Sequence, residues 1–429
     1  MEHVVIIGNG IAGVTAARHI RKLDSGFRIT IISEETEYFF SRTALMYVYM
    51  GHMKFEHTQP YENDFWEKNR LELIHERVTR VSTTDKELSL QSGTRINYDK
   101  LILATGSSPN KFGWPGQDLE GVQGLYSRQD LEKLEEYSSS TQRAIIVGGG
   151  LIGIELAEML SSRNISVTML VREKSFWSSV LPAGESDMIN RHIREHHIDL
   201  RLGAELEEIL PGENGRVRAV KTKSGEEIEC QLVGLTVGVH PNIKFLEDSG
   251  IETDKGILVN RYLETNIPGV YAAGDCAQQR ETIGQRKPVE QVWYTGRMMG
   301  EVVAQNVCGH SVEYNPGNWF NSAKFFDIEY QTYGWVWPEP KENEEHLYWE
   351  HSSGKKAIRM VYDKNSGAFL AVNTFGIRLR HEVCDHWITE KTPIDKVLKD
   401  LKQANFDPEF YRKHEKTIRK SFKNQTVNA

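Results

Sequence analysis

The chain has 429 residues, of which 39% are hydrophobic and 26% charged, and its formal net charge is -8. That length is more than one ordinary core can use and calls for two or three domains. The composition excludes a disordered chain, no apolar run approaches the roughly 18 residues of a membrane span, and the acidic balance argues against general nucleic-acid binding.

In chain order, the apolar run at 3–8 predicts a strand, 12–23 a helix and 28–33 a second strand, a βαβ start. Met1 and Glu2 lead straight into that strand without a basic region, an apolar stretch or a cleavage site, so the expectation is a protein of the reducing cytoplasm. The pattern returns with a strand at 143–148, a helix at 151–163 and a strand at 166–171. Between the two repeats, INYDKLILATGSSP (96–109) reads as a short strand closing on a glycine turn, and GVYAAGDCA (269–277) reads the same way further on. From 319 the texture changes to dense aromatics, with WPEPKENEE (337–345) as a polar loop, strands at 356–362 and 368–375, and helices at 379–389 and 393–403. The tail at 408–425 is basic and helix-compatible, and Phe410, His414, Ile418 and Phe422 recur every four residues as one weakly apolar stripe.

The two repeats carry the chemistry. VVIIGNGIAGVTAARHI (4–20) places Gly8, Gly10 and Gly13 in a G-x-G-x-x-G turn between a strand and a helix. The first glycine allows the tight turn, the second lets a pyrophosphate approach the backbone, and the third lets helix pack on strand. The helix N-terminus, with the N–H groups of Ile11 and Ala12, supplies partial positive charge. Glu34 and Glu35 end the next strand, where an acid accepts hydrogen bonds from a ribose hydroxyl, and Glu34 is the preferred candidate.

AIIVGGGLIGIELAEML (144–160) repeats the arrangement with Gly148, Gly150 and Gly153, the helix start at Leu151 and Ile152, and Glu155 one turn on. Its second strand ends in Val171, Arg172, Glu173 and Lys174. Arg172 and Lys174 suit a 2′-phosphate, whereas Glu173 suits an unphosphorylated ribose, and the reading leans to NADPH. Two dinucleotides in one chain imply that a hydride passes between them. Cys230, Cys276, Cys308 and Cys384 are scattered without metal or redox spacing, so no metal site is expected and each reads as a small buried residue.

The first turn, LILATGSSP, GLTVGVHPN (234–242) and IPGVYAAGDCA fall in the order of the pyridine nucleotide-disulfide oxidoreductases, and residues 1 to about 310 resemble that superfamily. The resemblance implies an α/β fold of two Rossmann-like three-layer domains with a C-terminal α+β domain. A discontinuous FAD domain (1–115 and 245–318) is interrupted by an NAD(P) domain (116–244), and the third domain covers 319–429. It further implies FAD on the first fold and NAD(P)H on the second. Asp275 with Gly274 would hold the FAD ribityl and phosphate region, and Ala104, Thr105, Gly106 and Gly238 would lie beside the cofactors. Glu290, Gln291 and Val292 would approach the isoalloxazine, with Trp293 either shielding it or serving as core. Glu155 would sit near the nicotinamide and flavin as the candidate catalytic group, although hydride transfer asks for alignment and exclusion of water more than for an acid.

Within the superfamily, EYFFSRTALMYVYMG (37–51) has no cysteine where a disulfide reductase carries its pair, and no His-Pro-x-x-x-x-Glu acid/base pair follows near the C-terminus. The stretch is similar instead to the rubredoxin and ferredoxin reductases and to the flavin portion of assimilatory nitrite reductase, with Arg42 and Leu45 matching. Arg42 would then contact the FAD through phosphate or adenine. Tyr47 stands where ferredoxin reductases commonly carry a lysine that pairs with the equivalent of Glu155.

The implied activity is an NAD(P)H oxidoreductase passing electrons to a small ferredoxin or rubredoxin. The alternatives are an NAD(P)H oxidase, a peripheral quinone reductase, or a flavin-bound redox sensor of low turnover. Arg412, Lys413, Lys416, Arg419, Lys420 and Lys423 against Glu409 and Glu415 make a basic patch. That patch suits an acidic redox partner, an anionic membrane surface, or neither. A homodimer is a candidate assembly.

Overall fold

The computed structural model describes residues 1–407, 409 and 412–427. In chain order the elements that matter here are β1 (His3–Ile7), α1 (Ile11–Leu23), β2 (Arg28–Ser33), β3 (Leu71–His75), β4 (Lys100–Leu103), β5 (Val122–Gln123), β6 (Arg143–Val147), α2 (Leu151–Ser162), β7 (Ser166–Val171), α3 (Ala183–Glu195), β8 (Asp199–Leu202), β9 (Leu232–Leu235), β10 (Val270–Ala272) and α4 (Trp293–Val307). The C-terminal part adds β11 (Phe320–Phe325), β12 (Ile328–Tyr333), β13 (Glu344–Glu350), β14 (Ala357–Asp363), β15 (Phe369–Phe375), α5 (His381–Thr389), α6 (Ile394–Asp400) and α7 (Glu415–Val427). The chain folds into two compact units, one of residues 1–110, 124–136 and 238–316, the other of 111–123, 137–237 and 317–429.

The first unit is built on a parallel five-stranded sheet in the order β10-β4-β1-β2-β3. Val4, Val5 and Ile6 of β1, Leu101, Ile102 and Leu103 of β4 and Ile29, Ile31 and Ile32 of β2 are all buried. Near-continuous apolar strands are what a parallel sheet covered on both faces requires. Helix α1 crosses from β1 to β2 and packs on α4. Their approach is close enough that a Cβ on Gly300 would stand 2.5 Å from the Ala12 carbonyl oxygen.

The second unit repeats the design with a parallel sheet in the order β8-β7-β6-β9-β5. In both sheets the glycine-bearing strand lies between neighbours reached by opposite crossovers. A topological switch point at the strand ends follows, which is where open α/β sheets bind ligands. The unit also carries an antiparallel sheet in the order β11-β12-β15-β14-β13. Its core joins Leu347, Trp349, Ile358, Met360 and Phe369 to Cys384 and Trp387 of α5, Val397 of α6 and Ile418 and Phe422 of α7. The architecture is therefore α/β with two Rossmann-like folds and an α+β C-terminal part.

The strands of both βαβ repeats fall within a residue of the expected limits. The aromatic-dense region holds β11 and β12, and β13 begins at Glu344 inside the segment read as a polar loop. The last helix starts at Glu415, later than the basic tail suggested. Of the expected stripe, His414, Ile418 and Phe422 are buried, while Phe410 lies outside the described residues.

Candidate functional site

In the first unit the candidate residues converge on the carboxyl ends of β1, β4 and β10. Gly8 follows β1 with φ +109°, a conformation that glycine enters freely, and donates its N–H to Ile32 O at 2.8 Å. A Cβ there would stand 2.1 Å from Ala104 O, and one on Gly13 would stand 2.1 Å from Gly8 O. Gly10 differs. It caps α1 in extended backbone, and a Cβ on it would meet no atom within 4 Å.

No side chain caps α1, and no acid sits in its first turn. The leading N–H groups of the helix therefore have no side-chain cap, the situation an anion relieves, and the space beside Gly10 is open. A cradle that only a missing side chain keeps open fits a diphosphate.

Around this turn runs a string of polar contacts. Gln291 Nε2 donates to Ser107 Oγ at 2.9 Å, and Ser107 Oγ to Asp275 Oδ2 at 3.3 Å. Tyr126 Oη accepts the Ser107 N–H at 2.9 Å. Burial pushes the Asp275 carboxyl up to about 6, against the opposing pull of Arg42 and the Ser107 hydroxyl. Thr105 Oγ1 donates to Asn242 O at 2.7 Å, Gly106 O accepts from Asn242 N, and Gly238 O accepts from Asn110 N at 3.0 Å. Glu290 is buried against Arg286 at 3.1 Å, and Val292 caps α4, whose first residue Trp293 is partly buried.

The two acids after β2 part company. Glu34 is half exposed, with Arg77 at 3.5 Å. Glu35 is more enclosed and takes the Arg42 guanidinium in a fork with Nη1 at 2.9 Å and Nη2 at 2.5 Å, together with the Arg128 N–H at 2.9 Å. The Arg42 guanidinium also lies 4.4 Å from the centre of the Tyr126 ring. Ser107 and Tyr126 were not singled out from the sequence. Ser107 lies inside the LILATGSSP motif, next to the named Gly106, whereas Tyr126 carries no local signal.

The second unit shows the same turn. Gly148 has φ +123°, and a Cβ on it would stand 2.4 Å from Thr236 O, in the residue after β9. Gly153 approaches Gly148 O, since a Cβ would lie 2.7 Å away. Gly150 caps α2 at Leu151 and Ile152, again without a side-chain cap or an early acid, and a Cβ there would meet nothing within 4 Å.

Beyond β7, Arg172 projects into solvent, and its Nε meets the Glu173 carboxylate at 2.8 Å. Glu155, on α2, is largely enclosed, and burial followed by the nearby Glu158 charge pushes its carboxyl up to about 7. Glu158 is itself held by Lys324 of β11 at 2.8 Å. Tyr47, in the first unit, stacks on His52 with ring centres 6.1 Å apart. Cys230, Cys276, Cys308 and Cys384 are all free thiols.

Residues 2–300 match the sequence profile described as pyridine nucleotide-disulphide oxidoreductase. The chain belongs to the pyridine nucleotide-disulphide oxidoreductase family. Within it, the chain is 30% identical to the ferredoxin reductase subunit of the 5,5'-dehydrodivanillate O-demethylase of a Sphingobium species, over 77% of this chain and 81% of that protein. It is 29% identical to the nitrite reductase [NAD(P)H] of Bacillus subtilis over 86% of its own length, and it spans only 43% of that larger protein. The ferredoxin reductase of Rhodopseudomonas palustris shares the fold with a TM-score of 0.80 at 23% identity, covering 88% of this chain and 91% of that one. The resemblance drawn from the motifs is thus met by the family, by ferredoxin-reductase relatives and by the fold. No described helix is long and apolar enough to cross a membrane.

Proposed function

We propose that this member of the family is an FAD-dependent NAD(P)H oxidoreductase that takes a hydride from the nicotinamide and passes electrons on to a small redox protein of the ferredoxin or rubredoxin kind. The observation that carries the reading is the pair of open cradles at Gly10 and Gly150. Each is an uncapped helix N-terminus at a parallel-sheet switch point, in a place where a side chain would meet no protein atom.

FAD held at the first cradle supplies a ring system that accepts two electrons together and releases them one at a time. The chain's own part is positioning. Gly10 with the N–H groups of α1 holds the diphosphate, and Asp275, fixed through Ser107 and Gln291, accepts hydrogen bonds from the polyol region. Glu34 takes the adenosine ribose, and Arg42, already forked on Glu35, closes the adenine side. In the second unit Gly150 holds the nicotinamide coenzyme's diphosphate. Arg172 answers a 2′-phosphate once it leaves Glu173. Glu155 lines the nicotinamide end and needs no proton transfer in the hydride step.

Free thiols and the cysteine-free segment at 37–51 favour an outward electron route that uses no protein disulfide. The basic tail favours a protein acceptor over a membrane. Ile418 and Phe422 of α7 are spent in the core of its own unit, while Lys416, Lys420 and Lys423 face solvent. Exposed cations without an apolar face steer an acidic partner and insert poorly into lipid.

The test is anaerobic stopped-flow on the yellow holoprotein. NADPH or NADH is expected to bleach the flavin rapidly, and cytochrome c reduction is expected to depend on added ferredoxin or rubredoxin. Fast oxygen consumption with no partner would replace this reading by an oxidase. Bleaching much slower than any turnover would replace it by a sensor.

A further inference from the structure

In the second unit, away from both glycine turns in sequence, three side chains converge whose chemistry the proposed redox reaction leaves unused. His192 lies on the last turn of α3, and His196 caps its C-terminus. The four-residue spacing brings both rings to one face of the helix, with centres 4.6 Å apart. Asp327, in the β11–β12 turn, points at the same spot. Its Oδ1 is 2.7 Å from His192 Nε2 and 3.2 Å from His196 Nε2. The candidate ligand atoms of the three residues all lie within 4.8 Å of one another.

His192 is 1% exposed, yet neither of its ring nitrogens has a hydrogen-bond partner. Asp327 Oδ1 is near Nε2 but not along a donor direction. Leaving a buried imidazole unsatisfied is costly. A cation between the three atoms removes that cost. With bonds of about 2.1 Å to nitrogen and oxygen and bond angles of about 90–110°, two ligand atoms stand roughly 3.0–3.4 Å apart, each off the other's axis. The two Asp327 Oδ1 distances, 2.7 Å to His192 Nε2 and 3.2 Å to His196 Nε2, lie near that separation, and the second is a hydrogen bond that a cation would replace.

Two features preset the site. Phe326 stacks flat on the His196 ring, 4.1 Å between centres and 6° between planes, and so fixes its orientation. Lys355 Nζ holds Asp327 Oδ2 at 3.1 Å, which turns Oδ1 toward the imidazoles and leaves the lysine as an outer partner of the carboxylate. Glu195 stands farther off, 3.7 Å from His192 Nδ1.

We propose that His192, His196 and Asp327 form a divalent metal site of the zinc class, with at least one position open to water. Two imidazoles and one carboxylate suit borderline ions such as Zn²⁺ over Mg²⁺ or Ca²⁺. The site fastens the C-terminal end of α3 to the β11–β12 turn.

The test uses untagged FAD-containing protein, stripped with EDTA, reloaded with ZnCl₂ and desalted. Metal is counted by plasma mass spectrometry, and affinity is read by calorimetric titration of the stripped protein. The expected result is one zinc per chain surviving desalting and a melting temperature raised by zinc. His196→Ala, at a half-buried position, and Asp327→Asn, at an exposed one, should each lose more than the roughly 10–100-fold that removal of an outer-shell partner costs. Flavin content and circular dichroism establish that both variants are folded. Zinc that washes out of the wild-type protein, or zinc binding equally tight in both variants, overturns the proposal.

Discussion

Gly8→Ala and Gly10→Ala lie two residues apart and are expected to fail in opposite ways. At Gly10 the backbone has φ -72° and ψ -175°, ordinary extended values, and the added methyl meets nothing within 4 Å. Alanine is a poorer N-cap than glycine, but it also restricts the unfolded chain. The two effects are each of order 0.5–1 kcal/mol and of opposite sign, so apoprotein stability should change by less than about 1 kcal/mol. The same methyl occupies the space over the helix N-terminus that is proposed to take the diphosphate. An extra methyl in a filled site costs about 1–3 kcal/mol, which is roughly 5- to 150-fold in FAD affinity.

At Gly8 the methyl would be 2.1 Å from Ala104 O, and φ is +109°. Backbone strain and a clash between β1 and the end of β4 together cost about 2–6 kcal/mol with no ligand present. Urea unfolding of the flavin-stripped proteins gives the first quantity, and quenching of flavin fluorescence on titration gives the second. A Gly10→Ala apoprotein that loses more than about 2 kcal/mol would refute the open space beside Gly10, and one that binds FAD as tightly as wild type would place the diphosphate elsewhere.

Coenzyme choice is read from Arg172→Ala, which removes a charged donor from a 2′-phosphate. NADPH affinity should fall by roughly 10- to 150-fold while NADH is little changed, and unaltered NADPH affinity in stopped-flow titrations would reverse the lean to NADPH. Glu155 gives a pH signature. Its carboxyl, raised from 4.5 to about 7, keeps a proton in the folded chain that the unfolded chain has released, so its contribution favours folding at low pH and is lost as pH rises through that window. Urea midpoints should therefore drop more between about pH 5 and 7.5 in wild type than in Glu155→Gln, and parallel pH curves for the two proteins would remove burial as the cause. Arg359 forks on the fully buried Glu185 with both bonds at 2.7 Å. Arg359→Met alone should cost about 3–5 kcal/mol in chemical denaturation, and adding Glu185→Met should recover much of it; a double variant as unstable as the sum of the singles would contradict a charge-stranding penalty.

What could be read ahead of the structure is what backbone geometry writes locally. Gly8, Gly10 and Gly13 are spaced by the demands of one turn, and the apolar runs of β1, β2, β6 and β7 follow from burial on both faces. The unread part is made of contacts between distant residues. Arg42 meets Tyr126, 84 positions away, and Arg359 meets Glu185, 174 positions away. Nothing in either neighbourhood announces the other. Strand β13 was hidden for a different reason. Its side chains, from Glu344 to Glu350, mix charge and aromatic character, and Glu344 is buried beside His346 at 3.5 Å instead of facing water, so simple alternation does not describe it.

The raised titration of Glu155 has its physical origin within the second unit. A carboxyl as enclosed as Glu155 needs either a cation or a proton. The charge that acts on Glu155 from its own helix is another carboxylate, Glu158. The two acids lie one turn apart, and Lys324 pairs with Glu158 at 2.8 Å. Burial, and then the neighbouring Glu158 charge, move the Glu155 carboxyl up to about 7. Lys324 of the C-terminal sheet thus gives its charge to Glu158, one turn along the helix from Glu155. The C-terminal sheet thereby reaches into the electrostatics of α2, a coupling that neither glycine motif encodes.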